Sequence, residues 1–359
     1  MQKKRGEIFI KVIVIKYTIY YFNMKTSFNI LKGKNLDLHK SSLEFLLEGQ
    51  RNSKGIFKNM SPGYLSQMVF SQKDPAFITL SQGDNIIGAT GIFTKEHYLY
   101  SNKKANSACI TCVGILEEFR NQGLGRKMIQ EVNNYLRSSN FDMGILFTDN
   151  IYFFEFLGWK ILNWNYKISN LSQSSNPVAK IIPSQPNQFK RLNKIYEKTS
   201  KDLPLYPVRK TSYLKDLNTI SFSSINSKKP YKFFNSDNLY CFFKSNNLLG
   251  YAYVERKLRK DDSVILNIQD INATEKEFYP VIRDTLISHF NINQFGSFLS
   301  EEHPAYNYFH PIESTENIKK CGKEEPSLFK EHFLILPNSS KSNLLINGIG
   351  IGYPLFDKF

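Results

Sequence analysis

The chain has 359 residues, enough for two domains of ordinary size and too many for a single small module. Hydrophobic residues make up 41%, charged residues 22% and aromatic residues 14%, a composition that excludes general disorder and fits a folded globular protein. Lys and Arg outnumber Asp and Glu by 47 to 32, a net charge of +15 that draws nucleic acid, anionic membranes and phosphorylated cofactors alike without choosing among them.

Residues 1–23, MQKKRGEIFIKVIVIKYTIYYFN, have the basic start and apolar stretch of a signal peptide. Lys11 and Lys16 interrupt the apolar run and no small-x-small site precedes Met24, so the segment is read as an N-terminal extension. No other stretch approaches the ~18 consecutive apolar residues of a spanning helix, and no membrane span is expected. SSLEFLLEGQ at 41–50 and SPGYLSQMVF at 61–70 read as helices capped by Ser41 and Ser61. AFITL, the turn SQGDN and IIGATGIF read as a hairpin. Residues 107–115 form a further strand; Leu124, Met128, Val132 and Leu136 recur at helical spacing; MGILF at 143–147 is a short buried strand.

Four cysteines in a chain this long make no disulfide framework, and a reducing, cytoplasmic location is expected. Cys109 and Cys112 spell C-x-x-C within SACITCVGIL, which reads as a strand. Side chains three apart on a strand point to opposite faces and cannot share a metal or a disulfide. His303, His310 and His332 lack metal-ligand spacing, and no metal is expected.

LSQSSNPVAKIIPSQPNQ at 171–188, rich in Ser, Asn and Pro, reads as a linker. Beyond it NLYCFF, KSNN and LLGYAYV repeat the first hairpin, with Asn247-Leu248-Leu249-Gly250 echoing Asn85-Ile86-Ile87-Gly88. SVILNIQDI and YPVIRDTLISHF then follow in the order of the first half, which suggests a duplicated fold. The expected division is an extension at 1–23, a first domain at 24–170, the linker, a second domain at 189–340 and a tail at 341–359.

The segment richest in chemistry is VGILEEFRNQGLGRKM at 113–128, a strand leading through a glycine turn into a helix. Gly123 and Gly125 let the backbone turn without Cβ atoms in the way. Successive N–H groups then face out at a helix N-terminus, where the dipole favours an anion. Arg120 and Arg126 flank this cradle and can add charge-assisted contacts to a pyrophosphate. The Walker pattern is absent, and G-x-G-x-x-G fails because Met128 holds the third glycine position.

Arg120-Asn-Gln-Gly123-Leu-Gly125 resembles the R/Q-x-x-G-x-G/A signature of the GNAT superfamily of N-acetyltransferases, and IYFFEFLGWKIL at 151–162 resembles its downstream short helix ending in Gly and an aromatic, here Gly158 and Trp159. The resemblance covers roughly residues 24–168. It implies a mixed α+β fold binding acetyl-CoA, the pantetheine arm meeting the backbone of Val113 and Ile115. The phosphates would meet Arg120, Gln122, Gly123, Gly125 and Arg126, with Asp149 and Asn150 at the mouth of the gap between splayed strands. It also implies direct attack of an amine on the thioester, which needs a base and an acid.

Many members carry a Tyr acid where this chain has Phe154. Tyr152 is the candidate substitute acid, although it lies ~200° away around a helix; water can also protonate the thiolate, with positioning supplying most of the rate. Glu96 and Glu117, with His97 and Glu118 beside them, are the candidate bases. The second half reads Asn272-Ala-Thr-Glu-Lys-Glu-Phe-Tyr-Pro280 where the cradle would be and should bind no acetyl-CoA. A tandem fold with one cofactor motif resembles the enhanced intracellular survival family without its third domain. The expected protein is therefore two GNAT-like domains acting as an acetyl-CoA-dependent N-acetyltransferase on a small-molecule or protein amine. The alternative is a catalytically weak acetyl-CoA-binding protein whose second half engages a partner. A nucleic-acid module is disfavoured because no recognition helix or base-stacking motif accompanies the charge.

Overall fold

A computed structural model describes residues 26–32, 73–99, 102–148, 150–162, 166–172, 179–219, 221–222, 231–232, 235–259, 262–311, 315–317 and 332–338. The expected helices at 41–50 and 61–70, the N-terminal extension and the C-terminal tail lie outside these residues.

In the first half, β1 (Thr26–Lys32), β2 (Lys73–Gln82), β3 (Asn85–Tyr98) and β4 (Lys104–Ile115) form an antiparallel meander. Helix α1 (Leu124–Ser138) then crosses over to β5 (Met143–Thr148), which runs parallel to β4. Leu124, Met128, Ile129, Val132 and Leu136 of α1 are all buried, one apolar stripe at helical period laid against the strands. The short helix α2 (Ile151–Glu155) and strand β6 (Lys160–Ile161) complete the run.

The second half repeats the plan. Strand β7 (Lys167–Asn170) and edge strand β8 (Lys180–Pro183) precede helices α3 (Phe189–Ser200) and α4 (Tyr213–Thr219) and a small ribbon of β9 (Ser221–Phe222) and β10 (Tyr231–Lys232). β11 (Leu239–Lys244), β12 (Asn247–Leu258), β13 (Val264–Ala273), α5 (Tyr279–Phe290) and β14 (Gln294–Ser297) match β2, β3, β4, α1 and β5 in order and direction. The echo seen in the sequence is one of register too: Gly88 pairs with Ile115 and Gly250 with Ala273, each followed by a bulge. Helix α6 (Tyr306–Phe309), β15 (Thr315–Asn317) and β16 (His332–Pro337) close the described chain.

The strand orders are β1-β2-β3-β4-β5-β16-β6 and β15-β7-β14-β13-β12-β11-β8. Each half therefore lends a strand to the other. β16 lies between β5 and β6 of the first sheet, and β7 lies between β14 and β15 of the second. The structure here differs from the division expected at 170 and from the reading of 171–188 as a linker. Residues 167–170 belong to the second sheet, and Lys180–Pro183 is its edge strand, the position where a sheet tolerates proline.

The two sheets share a core. Leu99, Ala105, Met143, Ile145 and Ile335 of the first pack with Tyr166, Ile168, Ile265 and Phe298 of the second. Residues 205–208 also run along the end of β3: Leu205 donates to the Tyr98 carbonyl, Tyr98 to the Tyr206 carbonyl and Val208 to the Glu96 carbonyl, each at 2.8 Å. The next residue, Arg209, is anchored in the second sheet by Asp270 at 2.8 Å, with both side chains almost wholly buried and Tyr251 donating to the same carboxylate.

Candidate active site

β4 and β5 pair only at Ser107–Met143, Ala108–Gly144 and Cys109–Ile145. Beyond that point β4 continues to Ile115 and β5 to Thr148 without pairing to each other, so the sheet forks. A bulge contributes to the opening. The pairing steps by two residues on β3, Ala89 to Gly91, but by three on β4, Gly114 to Thr111, and the Thr90 hydroxyl donates to the Thr111 carbonyl at 3.0 Å. The Leu116 N–H bonds back to the Ile87 carbonyl, so by strand alternation the backbone of Ile115 and Val113 faces the fork.

At the open end of the fork stands the N-terminus of α1. Gly123 is its N-cap at φ 75°, a left-handed conformation in which a Cβ is strained. An added Cβ there would meet nothing within 4 Å and would project into the space before the helix. No side chain caps the helix, and its first bond runs from the Lys127 N–H to the Gly123 carbonyl at 3.2 Å. The N–H groups of Leu124, Gly125 and Arg126 precede that bond and face the same open space. A diphosphate fits this cradle.

Arg120 is tied to the strand end, its Nε donating to the Ile115 carbonyl at 3.0 Å, and Gln122 donates to the Glu118 carbonyl at 3.3 Å. Of the residues expected to hold cofactor, Val113, Ile115, Arg120, Gln122, Gly123, Gly125 and Arg126 are thus brought to one end of the fork. Asn150, the N-cap of α2, is exposed there too, its N–H bonded to the Thr148 hydroxyl at 3.0 Å; Asp149 lies outside the described residues.

Helix α2 is held across this end by α1. Asn133 of α1 is buried, accepts from the Trp159 indole at 3.1 Å and donates to the Leu157 carbonyl at 3.0 Å. Trp159 in turn crosses β5 at Gly144, where a Cβ would stand 2.8 Å from the indole ring and 2.7 Å from Leu136. The sequence shows the Gly158-Trp159 pair, and its structural reason is this crossing. Phe154 packs edge-on against Phe153 and Trp159 in a cluster with Ile110 and Leu146, the first residue of each strand beyond the fork.

The candidate acid and bases fare differently. Tyr152 is 79% exposed, because α2 is helical through this position and turns it away from buried Phe154. Glu117 is exposed in a helical turn at the open end, beside the cradle, as is Glu118. Glu96 is not brought to the cradle end of the fork: it pairs with Asn106, nine residues before Ile115 on β4, which is ~30 Å along the strand. His97 is fully buried with Nδ1 2.8 Å from the Ser107 hydroxyl, and burial, aided by Lys95, lowers its pKa to about 3. It is a neutral structural imidazole. Burial also raises the pKa of the Cys109 thiol at the apex of the fork.

The corresponding end of the second sheet is built otherwise. The N-cap of α5 is Phe278 in a right-handed conformation, Pro280 occupies the first turn, and Glu275 and Lys276 stand where the first half has its glycine turn. Among the described residues no group of three His, Cys, Asp or Glu is placed to hold a metal, and no helix is long and apolar enough to cross a membrane.

Residues 43–159 match the model of the Acetyltransferase (GNAT) family. Among solved structures, the chain is similar to a GCN5-related N-acetyltransferase from Anabaena variabilis ATCC 29413 (TM-score 0.61, 14% identity, 88% of this chain and 74% of that one). It is equally similar in fold to a conserved protein of unknown function from Enterococcus faecalis V583, a probable N-acyltransferase (TM-score 0.61, 9% identity, 88% and 74%). A GCN5-related N-acetyltransferase from Kribbella flavida aligns over 88% of this chain and 73% of its own (TM-score 0.57, 10% identity). No curated protein matches the chain in sequence. The identities are low enough that these structures speak to the fold alone, while the matched segment contains the fork, the glycine turn and α2. The matched segment of the first half is thus similar to the GNAT family, and the second half repeats its order of strands and helix.

Proposed function

We propose that the protein transfers the acetyl group of acetyl-CoA to an amine, on a small molecule or a protein, by direct attack on the thioester. One observation carries this reading: the uncapped N-terminus of α1, opened by left-handed Gly123, faces the same space as the fork between β4 and β5. The N–H groups of Leu124, Gly125 and Arg126 would take the pyrophosphate, and the cleft-facing backbone of Val113 would align the pantetheine arm. The Ile115 carbonyl is already engaged by Arg120, so this residue would serve the arm through its N–H. Acetyl-CoA supplies the activated acyl group; the chain supplies position and a half-shielded cleft, which can account for much of an acyl-transfer rate.

Proton transfer is the less equipped part. Phe154 has no proton to give and Tyr152 faces outward, so in this reading water protonates the departing thiolate. Glu117, on the open side, is the carboxylate we assign to take the amine proton through water. The same lack of an acid favours the second reading, a weakly active acetyl-CoA-binding protein. Thiol release from acetyl-CoA with a panel of primary amines separates the two. Amine-dependent thiol release supports the transferase, and acetyl-CoA binding without it supports the binding protein. The unpaired thiols Cys109 and Cys241 suit a reducing, cytoplasmic setting.

A further inference from the structure

Among the described residues six large apolar side chains are exposed, and three of them, Tyr152, Phe156 and Ile161, lie on α2, at its C-cap and on the β6 strand that follows. Tyr152 and Phe156 are four residues apart on a helical backbone that still holds at Phe156, so they project from one face, opposite buried Phe154. Tyr152 is 79% exposed and Phe156 71%. Single exposed aromatics are commonplace; two aligned beside an open helix N-terminus form a surface. Arg126 joins this surface to the cradle. Its guanidinium carbon stands 4.4 Å from the Phe156 ring centroid, while its backbone N–H belongs to the first turn of α1. From the same short helix, Phe153 comes within 3.6 Å of where a Cβ on Gly125 would lie.

We propose that Tyr152, Phe156 and Arg126 form a stacking subsite for the purine of the acyl carrier, a role that rests on the acetyl-CoA reading above and gives Tyr152 a binding task in place of an acid's. A carrier whose pyrophosphate sits on the first turn of α1 has its acyl arm on one side and its nucleoside on the other. The arm occupies the fork, so the nucleoside emerges over the side chains bordering the turn. A purine has two flat π faces, and stacking on aromatic rings and guanidinium planes captures it without base-specific hydrogen bonds. Arg126 already stands over the Phe156 ring, which holds a guanidinium and its positive charge beside the subsite before a nucleotide arrives. The surface is too small for a macromolecular partner: two rings and a two-residue edge strand fall far short of the ~800 Å² per side of a stable protein interface.

Calorimetry on the full chain tests this with two ligands, CoA and 4′-phosphopantetheine, which has the arm and a phosphate but no adenosine. Phe156→Ala is expected to weaken CoA about tenfold and Tyr152→Ala by a smaller factor, with 4′-phosphopantetheine affinity unchanged within twofold and the melting temperature preserved. Phe156→Trp, which enlarges the ring, is expected to hold or tighten CoA. Undiminished CoA affinity in both alanine variants overturns the subsite, and so does an equal loss for both ligands, which would mark a general disturbance of the cleft. Failure of the unaltered protein to bind either ligand would instead remove the acetyl-CoA reading on which the subsite rests.

Discussion

His310 accepts or donates a hydrogen bond to Ser169 at 2.7 Å across 141 residues of sequence, and so ties a strand lent by the first half into the second sheet. Its other ring nitrogen lies 2.6 Å from the Ser297 hydroxyl of β14. The imidazole is buried and its pKa is lowered to about 3, chiefly by burial and further by Lys167; His97 and His303 are likewise buried and lowered to about 3. A depressed folded-state pKa means the unfolded chain binds the extra proton first. The stabilisation is complete above the ordinary value of 6.5 and is lost as pH falls from there toward 3. Each group contributes a slope of ~1.4 kcal/mol per pH unit inside that window. Melting temperature should therefore drop steeply between pH 6 and 4 in the parent, and less steeply in His310→Gln. Equal slopes in the two proteins would show that His310 titrates normally.

Gly123→Val places a β-branched side chain at φ 75° and sends it into the space before α1. CoA affinity is expected to fall at least tenfold. Gly125→Ala serves as a comparison, since its Cβ would find only ordinary contact with Phe153 at 3.6 Å and its φ is not left-handed; it should retain most of the affinity. Calorimetry reads both.

A tyrosine at Phe154 would introduce a hydroxyl into the cluster formed by Ile110 and Leu146 beyond the fork. If thiolate protonation limits the rate, kcat for an accepted amine should rise, up to the ~10² to 10⁴ a positioned general acid supplies. Tyr152→Phe, which leaves the ring in place, should leave kcat unchanged. A fall in kcat at constant KM would return the acid role to Tyr152.

Glu117→Gln is expected to lower kcat severalfold at neutral pH with KM little changed, while Glu96→Gln should be silent because its strand position is far from the cradle end of the fork. An unchanged kcat in Glu117→Gln would remove Glu117 as the base.

Arg209→Met should destabilise the protein by about 3–5 kcal/mol, since it strands the buried Asp270 carboxylate. Arg209→Met combined with Asp270→Leu should recover much of that loss in denaturant titrations, because no unpaired charge is then left inside.

The β–α–β unit around Gly123 was legible because glycines, flanking arginines and the spacing of Leu124, Met128 and Val132 are local signals. So was the repeat, since Asn85–Gly88 and Asn247–Gly250 mark the same turn into the same strand. The exchange of strands was not. Lys167–Asn170 and His332–Pro337 are short runs whose alternation states which side is buried, and nothing in that pattern says which sheet supplies the neighbour. The site was partly legible for the same reason: the turn is local, whereas the outward course of Tyr152 depends on how α2 is pinned by Asn133 and Trp159, and the remoteness of Glu96 depends on register with Asn106.

The placement of β16 beside β5 also governs the order in which the protein can be made. Phe147 pairs with Phe333, so the sheet that carries the glycine turn stays open along one side until residue 333 has left the ribosome. A nascent first half emerges with β5 as an unpaired apolar edge, the kind of edge that invites association with other chains. Completion of the first sheet therefore has to wait for β16, and the two halves mature together rather than in succession. A polypeptide that stops short of residue 332 would be exposed to aggregation before it could bind anything at all.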